Sequence, residues 1–270
     1  MSNNERTLIS FDWALKTILR QKDNFDILEG FLSDLLGYQI KIIGLLESES
    51  NKDSEDDKFN RVDLKAQDSD GKEIIIEVQH DPEPDYLERV YYGAAKSLVN
   101  DMWEGYKYGK VKKIISVSIV YWGVLKKSYV VKGSMKFEDL VGDQEIKDVK
   151  DIFADYYFIQ PKLFEDKIKT KLDEWVYLFK YSKVKGEIKA TNMDKAQEKL
   201  DRLKMTERER LAYEEYQLNK TINEGVLQVR EDKGIEKGKQ KIIEAMRKKG
   251  MSDETIADVL KLAEEKINSK

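Results

Sequence analysis

The sequence predicts an α/β domain followed by a charged helical tail, and three observations carry that prediction. Residues 61–79, RVDLKAQDSDGKEIIIEVQ, read as two β-branched strands joined by turn chemistry. Residues 112–122, KKIISVSIVYW, form a near-continuous apolar run of strand length, as a buried central strand requires. From Lys183 onward strand signals vanish and charged residues at helical spacing take over. The expected division is therefore a domain over residues 1–182 and a helical tail over residues 183–270.

The first elements are helical. Ser10 can cap a helix that carries Phe11, Ala14, Leu15, Ile18 and Leu19 on one side, with Asp12 and Lys16 on its flank. A second helix over residues 25–36 buries Ile27, Leu28, Phe31, Leu32 and Leu35, and Gly37 ends it. Residues 39–46 suit a short strand. Residues 47–57, ESESNKDSEDD, hold no apolar residue and suit a surface loop.

The hairpin decides the chemistry. Gly71 suits a left-handed position closing the loop Ser69-Asp70-Gly71, which sets Asp68 opposite Lys72. Counting outward pairs Asp63 with Glu77, and side-chain alternation puts Asp63, Lys65, Glu77 and Gln79 on one face. Two carboxylates directly opposite one another repel. They either sit as solvated acids on a polar face or share a divalent cation, since Mg²⁺ favours carboxylate, carbonyl and water oxygens.

Beyond the hairpin, residues 80–84, HDPEP, break the strand. A long helix from Tyr86 turns Leu87, Val90, Tyr91, Ala94, Ala95, Leu98 and Val99 inward, with Arg89 and Lys96 off that stripe. Residues 128–131 and 155–159 are further strands, and residues 172–181 a short helix. In the tail, Thr206 and Glu209 suggest a capping box opening a helix through Leu218. A second stretch carries Ile242, Ile243 and Met246 and stops at Gly250. Two short stretches follow over residues 253–260 and 263–267. Such a tail buries little by itself, so pairing with a second copy or a partner is expected. Residues 252–267 resemble part of a helix-turn-helix, but their acids argue for partner contact over DNA reading.

Composition removes several function classes. The chain of 270 residues has no cysteine and a single histidine, His80, which argues against thiolate metal sites, zinc hydrolysis and a serine triad. A net charge of −4 provides no global attraction to nucleic acid, so any such surface must be a local basic patch. Lys107, Lys110, Lys112 and Lys113, with Arg89 and Lys96, are the candidate phosphate contacts. No run reaches membrane-spanning length and residues 1–10 lack a signal-peptide pattern, so a cytoplasmic location is expected.

Taken in order, the Phe11-Asp12 helix, FLSDLLG, RVDLKAQDSDGKEIIIEVQ, Arg89 with Tyr91-Tyr92, KKIISVSIV, LDEWVYLFK and a glycine-punctuated helical tail resemble a known family. It is that of the PD-(D/E)XK nuclease family transposases, also called recombination-promoting nucleases. The resemblance covers nearly the whole chain. It implies a restriction-endonuclease-like fold, a mixed central sheet flanked by helices with the active site on the hairpin. It also implies Mg²⁺- or Mn²⁺-dependent hydrolysis of DNA, linked to recombination or mobile elements. Carried residue by residue, Asp63 matches the motif's aspartate, Glu77 its second acid and Asp12 the acid of the first helix. The metal set implied is Asp63, Glu77 and the Val78 carbonyl. Arg89 and Tyr91 match positions after the motif. Val62 stands where the motif has proline, and Gln79 where it usually has lysine. An amide can position a water but carries no charge, and Lys65, on the same expected face, is the sequence's candidate for the missing cation. The competing expectation is a catalytically silent DNA-binding or assembly protein that keeps the fold.

Overall fold

The computed structural model describes residues 8–17, 19–46, 64–103, 111–125, 127–142, 144–146 and 149–268. The chain divides into two units, residues 1–206 and 207–270. The first unit is built on a mixed sheet flanked by helices. Its strands are β1 (Ile42–Leu45), β2 (Leu64–Asp68), β3 (Glu73–Gln79), β4 (Ile114–Val120), β5 (Val130–Gly133) and, later in the chain, the strand Asp155–Ile159. Between the last two lies a separate hairpin of β6 (Phe137–Asp139) and β7 (Gln144–Ile146), which makes Asp155–Ile159 β8. Six described strands form the main sheet in the order β1-β2-β3-β4-β8-β5. The β1-β2-β3 meander is antiparallel, β3-β4-β8 is parallel, and β5 closes the far edge antiparallel to β8. Parallel neighbours require crossovers. The first runs through the helix α3 (Tyr86–Trp103), which is preceded in the chain by α1 (Phe11–Thr17) and α2 (Phe25–Leu36).

The hairpin register is the one the loop chemistry predicts. Gly71 has φ +79°, Asp68 N–H donates to the Lys72 carbonyl, and the Asp68 carboxylate accepts from the N–H groups of Asp70 and Lys72. Leu64 pairs with Ile76 and Gln67 with Glu73, so the count outward from Gly71 holds over all of β2. On one face of the sheet α3 covers Ile75, Ile114, Val120 and Phe158 with Tyr86, Val90 and Ala94. On the other face Ile74, Ile76, Val117 and Ile119 are all fully buried. With both faces covered, residues 74–76 of β3 and most of β4 are apolar without alternation, broken in β4 only by the buried Ser116 and Ser118.

A second core is aromatic. Phe11 and Phe31 pack with Trp175 and Phe179 of α4 (Lys171–Tyr181) at ring separations of 4.4–6.3 Å. Two acids, the buried Glu29 and the half-buried Asp34, tie the helices to the chain around them. Glu29 accepts from Ile42 N–H and from the Lys41 ammonium, fixing α2 to the start of β1. Asp34 accepts from Trp175 Nε1 and from both Thr191 groups. Thr170 and Asp173 form a capping box at the start of α4, one that T-x-x-D spelling concealed from the sequence reading.

The first unit extends past the change of composition at Lys183. Residues 183–206 fold with it: Ala190, Met193, Ala196 and Leu200 are buried, α5 (Met193–Lys199) packs on α2, and Ile9 N–H donates to the Leu200 carbonyl. Gly30 permits this approach, because a Cβ there would overlap the Thr191 carbonyl oxygen. Among its described residues the second unit has two helices, α6 (Glu207–Lys248) and α7 (Asp253–Asn268). The expected interruption after Leu218 does not occur. Gly225, Gly234 and Gly238 are accommodated inside one 42-residue helix, and Gly250, with φ +81°, makes the stop that was expected. A helical glycine costs about 1 kcal/mol, too little to end a helix this long by itself.

Candidate active site

Four elements, β3, β4, α3 and α1, converge where β3 ends. Glu77 lies on the α3 side of β3, paired in parallel register with Ser118 of β4, and is only 7% exposed. Gln79 is half-buried two residues on. Gln79 uses its carbonyl to accept from Tyr121 N–H on the β4 side. Backbone groups alternate along a strand, so the Val78 carbonyl faces the opposite, β2 side.

A buried carboxylate needs a counter-charge, and Arg89 supplies it from the first turns of α3. Its Nη2 donates to Glu77 Oε1, its Nε lies 2.9 Å from Glu83 Oε2, and its guanidinium sits 5.1 Å from the Tyr86 ring centre. The Tyr86 hydroxyl is buried beside Ser118; that burial, with the Glu77 charge added, pushes its pKa well up. Sequence reasoning missed Glu83 and Tyr86. Glu83 comes from the HDPEP break, and no periodic signal shows which way such a turn aims a side chain.

Asp12 is brought to the same end of β3. It is 1% exposed and its Oδ2 lies 2.7 Å from Nε2 of His80, the residue after Gln79. His80 in turn stacks on Tyr121 at 4.2 Å, and the Tyr121 hydroxyl donates to the Phe179 carbonyl. The lone histidine was legible as a residue but not as the partner of Asp12.

The remaining expected residues are distributed as follows. Asp63, Lys107 and Lys110 lie outside the described residues. Lys65 is on the expected face, but its ammonium is 2.9 Å from Glu73 Oε1, which also accepts from Ser97. Lys113 is paired with Asp155 at 2.9 Å and with Asp151. Lys96 is half-buried on α3. Lys112 and Tyr91 line a groove of about 430 Å³ with Leu98, Met135, Phe153 and Tyr156. Among the described residues no three acids or histidines cluster closely enough to hold a metal ion. The sequence pairs Glu77 with Asp63, and the Leu64–Ile76 pair beside that position is the one this pairing requires. The donor chemistry present, the buried Glu77 carboxylate and the Val78 carbonyl, is all oxygen and fits a hard divalent cation.

A mixed sheet with this strand order, an acid two residues before the end of β3 and a helix crossing over it define a restriction-endonuclease-like protein. The model of the PD-(D/E)XK nuclease family transposases matches residues 9–224, and the chain belongs to that family. No curated protein and no solved structure matches it. Among the described residues no helix is long and apolar enough to cross a membrane.

Proposed function

We propose that the chain is a Mg²⁺- or Mn²⁺-dependent DNA endonuclease acting in recombination or element mobility. The observation that carries the reading is Glu77, a carboxylate buried on a central strand two residues before Gln79, in the register the family motif needs. Burying a charge is costly, and groups kept buried and charged in a site of this kind are candidates for chemistry. Asp63, Glu77 and the Val78 carbonyl would hold the cation, which when bound supplies Lewis-acid polarisation of the phosphate and an acidified water. Gln79 hydrogen-bonds the attacking water and orients it. Asp12, held against His80, fixes the loop that follows Gln79. Lys112 is a contact for the DNA backbone, beside Lys107 and Lys110 in sequence.

The substitution of Gln79 for lysine favours one other reading, a silent DNA-binding scaffold. Metal binding separates the two. Calorimetric titration of the full chain with Mn²⁺ should show saturable binding that Glu77→Ala and Asp63→Ala each remove. Absence of binding by the wild type would favour the scaffold.

A further inference from the structure

We propose that Arg89 is a displaceable counter-ion of Glu77, and that Glu83 is its second seat, keeping the guanidinium at the site when Glu77 is given over to a divalent cation. The inference rests on the reading of Glu77 as a metal ligand.

One guanidinium already touches both acids. Its Nη2 makes a hydrogen bond to Glu77, whereas its Nε is close to Glu83 but has no aligned hydrogen bond there. The Glu77 contact is therefore the made one and the Glu83 contact the one held in reserve. The environments differ in the same sense: the Glu77 side chain is 10% exposed and that of Glu83 35%. Glu77 is costly to leave uncompensated, and Glu83 is cheap to satisfy at any time. The Tyr86 ring lies 5.1 Å from the guanidinium carbon. A swing of the planar fork from one acid to the other needs little movement of the side chain's stem, because both acids are already within reach.

The exchange also bears on the missing lysine. Gln79 is neutral and Lys65 is engaged with Glu73, so neither brings a free cation to Glu77. Arg89 seated on Glu83 retains N–H donors suited to a phosphate oxygen, in the bidentate manner of guanidinium groups.

Charge bookkeeping gives opposite signs for two substitutions. Glu77, Glu83 and Arg89 together carry one net negative charge. Arg89→Gln makes that two, and Glu83→Gln makes it zero while also removing the second seat. Mn²⁺ titration of the full chain should therefore show binding about tenfold tighter in Arg89→Gln and about tenfold weaker in Glu83→Gln than in the wild type. Circular dichroism melting checks that each variant is folded; Glu83 lies in the partly exposed turn, which keeps the second arm usable if Arg89→Gln unfolds. Unchanged affinity in a folded Glu83→Gln overturns the proposal, and weaker binding in Arg89→Gln would make Arg89 an orienting group and not a competitor. A wild type that binds no Mn²⁺ would instead remove the metal reading itself.

Discussion

Glu77 could be found from the sequence because its place follows from counting. Gly71 fixes the turn, the turn fixes the register, and alternation fixes the face. Nothing of that kind locates Arg89 or Glu83. Their meeting depends on the path of residues 80–85 between strand and helix, where neither period applies. Lys65 shows the limit of face arguments: it lies on the expected face, yet it reaches diagonally to Glu73. Lys65→Ala should therefore act on stability. It leaves the buried Glu73 carboxylate with the Ser97 hydroxyl as its remaining partner among the described residues, at a cost of about 3 kcal/mol in urea denaturation, with Mn²⁺ affinity unchanged. A variant of wild-type stability that had lost metal binding would restore Lys65 to the site.

At the scale of elements, the helices and central strands are legible from their periods, and the short elements that escape them share a cause. α5 is seven residues long, β6 and β7 three each, and such lengths carry too few turns or alternations to register. The sequence divides α6 because glycines punctuate it, although among the described residues nothing beyond the helix's own backbone lies within 4 Å of where a Cβ would stand on Gly225, Gly234 or Gly238. Two glycines should consequently respond in opposite ways. Gly30→Ala drives a methyl into the Thr191 carbonyl and should destabilise the first unit by about 1–3 kcal/mol. Gly234→Ala meets open space in a helix and should stabilise α6 by up to about 1 kcal/mol. Melting of the two variants, followed by helical ellipticity, reads both effects.

At the scale of the whole molecule, long-range acid contacts set the response to pH. Burial raises the pKa of Asp26 and Asp173, but their partners more than offset it: Lys199 and Lys195 for Asp26, and Tyr129 with the Lys169 and Thr170 N–H groups for Asp173. Both carboxyls therefore hold a proton less readily in the folded chain than in the unfolded one. Their contribution is complete above the ordinary aspartate value of 3.8 and is lost as pH falls through the lowered folded values. The urea midpoint should be flat near neutrality and fall below pH 4, and Asp173→Asn should reduce that fall.

In the second unit, Leu218, Ile222, Val229, Ile235 and Ile242 of α6 are each more than half exposed. Ile222 and Val229, and again Ile235 and Ile242, are one heptad apart. Ile235 is six positions beyond Val229, so the two pairs lie on different sides of the helix, and self-association is the expected use of the Ile222–Val229 stripe. Sedimentation at micromolar concentration should give a dimer or larger species that Ile222→Asp with Val229→Asp reduces to monomer; a wild-type monomer would leave the stripe to another partner.

The most direct measurement is cleavage of supercoiled plasmid by the purified chain, with Mg²⁺ or Mn²⁺ and with chelator, for wild type, Asp63→Ala and Glu77→Ala. Metal-dependent nicking or linearisation that each substitution abolishes is the predicted result. Cleavage that survives Glu77→Ala or chelation, or a wild type that binds metal and cuts nothing, would contradict it.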